Sequence, residues 1–224
     1  IMFETMRLIF KAFGSREGFL ALISLQYKEA SSEYCLIEDA YDFADYEFRE
    51  VKRHSGDPYI THLRATAVLV FLALWWRGIN DPKLIAAALL HDLLEDFREQ
   101  WSYERLALRF DEVIASYVAA VTKPDSALYA YDSAVRNQVY KAGIYLGSFR
   151  TTLMKLCDNV TNLVTLWHTP LAQQVRTLEM ALFFYHPIAQ ERDIFPLLYR
   201  SVVLYAQMRH LASILKSKVI ACTS

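Results

Sequence analysis

Helix-breaking residues are scarce in this sequence, and that scarcity narrows what it can fold into more than any other feature. Only 6 Gly and 6 Pro punctuate 224 residues, while Leu, Ala and aromatic residues are abundant. Local signals therefore favour long helices joined by few turns. No stretch alternates apolar and polar residues over a useful length, so no strand pattern competes. The expected class is all-α, with about eight to ten helices around one core, which a chain of this length can fill.

Capping residues place the elements. The pair Ser31-Ser32 marks a helix start, Glu38 to Phe48 reads as helical, and Arg53-His54-Ser55-Gly56-Asp57-Pro58 reads as a loop. Tyr59 to Arg77 forms a helix ending at Gly78. The next helix starts with Asp81 as N-cap and Pro82 at its first position, and runs to about Phe97. Further helices are expected over 102–110, 111–121, 132–146, 148–167, 170–185 and 196–215. Residues 1–30 read as an amphipathic helical extension and 31–224 as the domain proper. The run Phe19–Leu25 imitates a short signal sequence, but Glu4 and Glu17 stand where such sequences are usually free of acid. The uncharged run Ala65–Trp76 is shorter than the roughly 20 residues needed to span a bilayer, so it reads as a buried helix and no membrane partner is expected.

The net charge of −1 comes with no basic stripe, so nothing supports nucleic-acid binding. A small anionic ligand needs only a local pocket. Cys35, Cys157 and Cys222 are far apart and form no Cys-x-x-Cys pair, which disfavours a thiolate zinc site or a disulfide framework. A reduced, cytoplasmic setting is expected.

Three segments carry candidate chemistry. Leu84 to Asp96 is apolar for two turns and then sets His91, Asp92, Glu95 and Asp96 within an arc of about 140° on an uninterrupted helix. A solvated helix face explains this segment equally well, although Asp92 and Asp96 are like charges one turn apart, which a nearby cation would relieve. His62 begins an apolar helix, where a lone histidine is more often a satisfied core residue. Asp158 lies one turn from both Lys155 and Asn162, and with Lys155 it also suits a plain ion pair. Together they supply two histidines and two aspartates from three helices, a nitrogen and oxygen set suited to a divalent transition ion with positions left for water and a phosphate oxygen. Glu95 and Asp96 are then the proton-handling groups, near the ion without being required as ligands.

Four motifs in order carry a family resemblance: Arg53-His-Ser-Gly-Asp-Pro-Tyr-Ile-Thr-His62, His91-Asp92-Leu-Leu-Glu95-Asp96, Val121-Thr-Lys123, and Leu153-Met-Lys155-Leu-Cys-Asp158-Asn-Val-Thr-Asn162. Over roughly residues 36–168 the sequence resembles the HD-type hydrolase domain of RelA/SpoT homologues, in particular the hydrolase-only small members. The resemblance implies one manganese ion on His62, His91, Asp92 and Asp158, with Glu95 and Asp96 activating water to release pyrophosphate from the 3′ position of (p)ppGpp. It also implies a base pocket at Arg53, His54 and Ser55, a sugar contact at Asn162, and phosphate contacts at Lys123 and Lys155, for which solvated surface charge is an equal alternative. Tyr59 reads as a packing residue. The sequence departs from the family pattern at Phe48, a frequent His, at His54, usually Lys or Arg, at Leu63, usually Pro, and at Asn159-Val160-Thr161, where Arg-Leu-His is usual. These departures leave open a different nucleotide, such as (p)ppApp or NADPH, and a non-catalytic nucleotide-binding module.

Overall fold

The computed structural model describes residues 8–223, with side chains for 8–215. Among them every regular element is helical, and strand-like pairing is limited to one bridge between Lys52 and Pro58. After a helical stretch over 8–12, the elements are α1 (Arg16–Ile23), α2 (Ser32–Glu47), α3 (Ile60–Trp76), α4 (Pro82–Leu90), α5 (Leu93–Asp96), α6 (Tyr103–Arg109), α7 (Glu112–Val121), α8 (Ser133–Leu146), α9 (Phe149–Val164), α10 (Leu171–Met180), α11 (His186–Glu191) and α12 (Pro196–Thr223). Of the expected 1–30 extension, residues 1–7 lie outside the described residues, as does the side chain of Cys222. The described part includes α1, which seats Phe19, Leu20, Leu22 and Ile23 in the main core.

Helix α4 is the centre of the packing. Each residue from Leu84 to Leu90 is fully buried, because a helix apolar on all sides has no face suited to water. Three consecutive alanines, Ala86 to Ala88, let neighbours approach closely, and α2, α3, α7 and α9 surround it. Asp81 starts α4 as expected, accepting from the Leu84 amide at 3.0 Å. Its other oxygen receives the Arg150 guanidinium from α9, so one carboxylate caps one helix and ties down another.

The helix expected to run from Pro82 to Phe97 is interrupted. It ends at Leu90, His91 and Asp92 form a turn, and α5 resumes for four residues. The turn contains no Gly or Pro, and Asp92 is held from outside by a hydrogen bond from Tyr59 on the facing segment. A second irregularity falls within 170–185: after α10 the chain makes a π-turn over Ala181–Tyr185 before α11. Among the described residues no helix is long and apolar enough to cross a membrane.

Candidate metal centre and the cleft beside it

The polar turn at the end of α4 points its histidine and aspartate toward α3 and α9. Ligand atoms of His62, His91 and Asp92 lie within 4.8 Å of one another. His62 Nε2 is 3.5 Å from Asp92 Oδ2 and 3.3 Å from Asp158 Oδ1, and His91 Nε2 is 3.2 Å and 3.5 Å from the same two atoms. Ligand atoms about 2 Å from a shared ion sit about 3 Å apart, close to this spacing. His62, His91 and Asp158 are buried, and Asp92 is half-buried.

The donor set tests whether a cation belongs there. His91 Nδ1 lies 2.8 Å from the Ala88 carbonyl, which can only accept, so Nδ1 carries a proton. In neutral His91 the bare lone pair of Nε2 then faces two carboxylates, and this buried atom has no hydrogen-bond partner. Such a lone pair is costly unless a cation sits between it and the carboxylates. Burial opposes a charge on His91, but Asp92 and Asp158 overcome it and raise its pKa to about 10. Burial likewise works against the carboxylate of Asp92, yet its histidine neighbours hold its pKa well below the usual range. The cluster fits a divalent ion.

The remaining predicted residues fall around this centre. Lys155 is no solvated charge: its Nζ is 2.7 Å from Asp158 Oδ2, and despite burial Asp158 keeps its pKa well above that of an ordinary lysine. Asn162 donates to Asp158 Oδ1 at 2.7 Å and accepts from Arg53 at 2.8 Å, linking the Gly56 loop to the centre. That loop turns at Gly56, where φ of +90° suits glycine. Ser55 donates to Asp57. Tyr59 does more than pack: it stacks on Phe48 at 4.9 Å and donates to Asp92 Oδ2 at 2.8 Å. Glu95 accepts the Lys123 amide at 3.1 Å. Burial, Asp92 and Glu95 push the Asp96 carboxyl up to about 6.

Beside the centre opens a cleft of about 620 Å³. Its lining includes Arg53, His54, Ser55, Lys155, Asp158 and Asn162. The rest of the lining was not foreseen: Asn137, Tyr140 and Lys141 from α8, Gln173, Arg176 and Thr177 from α10, and Tyr185 from the π-turn. Their spacing, i, i+3, i+4 on both helices, is the one sequence signal that could have found them. Lys52, Arg53, Lys123, Lys141, Lys155 and Arg176 bring six cations to the cleft against one carboxylate, Asp158. A chain of net charge −1 thus concentrates positive charge in one concavity. Glu95 and Asp96 stand outside this lining, and the Lys123 amide ties Glu95 to the rim.

An all-helical body that buries a two-histidine, two-aspartate set beside a basic cleft defines a class of helical metal-centre proteins. The HD domain family model matches residues 40–195, and the chain belongs to that family as an HD domain of the RelA/SpoT type. It is 34% identical over 160 residues to the guanosine-3′,5′-bis(diphosphate) 3′-pyrophosphohydrolase of Aquifex aeolicus, covering 70% of this chain and 22% of that protein. It is also 34% identical over 155 residues to the GTP pyrophosphokinase of Streptomyces coelicolor, covering 68% and 17%. The chain thus spans about a fifth of the length of these relatives. A solved structure described as a metazoan ortholog of SpoT that hydrolyzes ppGpp shares the fold, with a TM-score of 0.57 at 17% identity over 85% of this chain and 98% of the other.

Proposed function

We propose that this domain is a manganese-dependent hydrolase that removes the 3′-diphosphate of (p)ppGpp as pyrophosphate. One observation carries the reading: the His62, His91, Asp92 and Asp158 ligand atoms converge beside a cleft holding six cations and a single carboxylate. The relatives named above for the same chemistry support it. A divalent ion on those four side chains would acidify water and polarise a phosphorus centre. Glu95 and Asp96 handle the protons, and the raised pKa of Asp96 suits that work near neutrality. Arg53, His54 and Ser55 receive the base. Asn162 receives the sugar, and its bond to Asp158 keeps the 3′ side nearest the centre. Lys123 and Lys155 meet phosphate from the centre's side, while Lys52, Lys141 and Arg176 supply charge for the others.

Turnover measured with manganese across guanine and adenine nucleotides tests this. ppGpp and pppGpp should be consumed. Cleavage of the adenine analogues alone would move the base assignment and make His54 the first residue to replace. Tight binding without turnover of any of them would make the domain a nucleotide-binding module and end the hydrolase reading.

A further inference from the structure

We propose that Thr161, backed by Thr66, is the positioning residue that makes His62 a ligand through Nε2. The proposal rests on the metal reading above and concerns a support that the four ligands do not themselves contain. Thr161 Oγ1 lies 2.8 Å from the Asp158 carbonyl and donates its single proton there. The same oxygen is 3.0 Å from His62 Nδ1 and 3.2 Å from Thr66 Oγ1. With its proton committed, the hydroxyl can only accept from these two. His62 Nδ1 therefore carries the ring proton, and Nε2 presents its lone pair toward Asp92 Oδ2 and Asp158 Oδ1.

Burial makes the arrangement binding. Thr66 is 0% and Thr161 4% exposed, so bulk water does not compete for these bonds, and a missing partner would leave a buried donor unpaired. Thr161 also holds two ligand-bearing helices in register. It sits on α9, grips the backbone of Asp158 on its own helix, and reaches the ring of His62 on α3. Position 161 is one of the departures from the RelA/SpoT pattern, where His is usual. Thr66 faces it with a second hydroxyl. Hydrogen bonds of this kind fix the tautomer and raise the basicity of a ligating histidine, and losing one typically weakens metal binding roughly 10–100-fold.

Two substitutions at position 161 separate hydrogen bonding from packing. Thr161→Val keeps the side-chain shape and removes the hydroxyl, whereas Thr161→Ser keeps the hydroxyl and removes a methyl group. Manganese affinity of the whole chain is read by titration calorimetry, with circular dichroism to check folding. The Val variant should bind manganese roughly 10–100-fold more weakly, and the Ser variant should stay near wild type. A packing role gives the opposite order. Val binding as tightly as wild type, or Ser binding more weakly than Val, overturns the proposal while the metal reading stands. Should the Val variant fail to fold, Thr161→Ala decides the matter: it differs from Thr161→Ser only by the hydroxyl, so manganese affinity equal to that of the Ser variant overturns the proposal. Wild type that binds no manganese overturns the metal reading itself, and the proposal with it.

Discussion

Replacing His62 with Ala should abolish manganese binding and turnover together, and should erase the thermal stabilisation that the metal gives the wild-type chain. The proposed ligands come from α3, the turn after α4, and α9, which meet only in the folded state. An ion that binds only that state stabilises it in proportion to the logarithm of its excess over Kd, about 2.7 kcal/mol at a hundredfold excess. For a domain of this size that corresponds to a shift in Tm of about 5–10 °C. Chelation of the wild type should lower Tm by the same amount, and chelation of His62→Ala should leave it unmoved. Asp158→Ala should behave alike toward metal, but with a lower metal-free Tm as well, because it strips the buried Lys155 ammonium of a partner at 2.7 Å. Retention of manganese by both variants would show that the ion binds elsewhere.

Glu95→Gln and Asp96→Asn should keep metal and nucleotide binding while kcat falls by roughly 10²–10⁴-fold, the range expected on losing a general acid or base. Neither carboxylate belongs to the convergent ligand set. Glu95 is held through the Lys123 amide, and the Asp96 carboxyl, on an exposed residue, is partly desolvated beside two other acids, Asp92 and Glu95, which is why its pKa rises to about 6. Both amides are close in shape to the acids they replace, so a loss of turnover with metal and nucleotide retained identifies proton transfer. Loss of metal instead would make these residues ligands. Near-normal kcat in both variants would return this short helix to a merely solvated face.

The helix starts were legible because capping is local chemistry. Ser31, Asp81, Ser102, Asp111, Asp132 and Ser148 each accept an amide of the first turn, as their residue types anticipated. The break at His91-Asp92 was not legible, because no turn residue marks it and the Tyr59 hydroxyl that holds Asp92 comes from a distant position in the chain. Tyr59 was read as a packing residue, and its second role was missed for a related reason. Its ring does pack, on Phe48, while its hydroxyl reaches an acid 33 positions away. The convergence of His62, His91, Asp92 and Asp158 was anticipated from four motifs in order, since each motif is short and keeps its own spacing. The cleft lining from α8 and α10 was not. Lys141 and Arg176 lie on ordinary amphipathic helices, and which faces of α8 and α10 look into one cleft is decided by tertiary packing.

Chromatography of a manganese reaction with ppGpp identifies the bond that breaks, and so tests the alarmone-hydrolase reading most directly. A divalent ion at the centre would confine attack to the phosphorus held beside it, and the remaining phosphates would act as handles that decide which one that is. With the base at Arg53 and Ser55 and the sugar at Asn162, as proposed, the 3′-diphosphate would lie at the centre, so GDP and intact pyrophosphate should appear in equal amounts. Stepwise release of orthophosphate, or shortening of the 5′ chain, would contradict it.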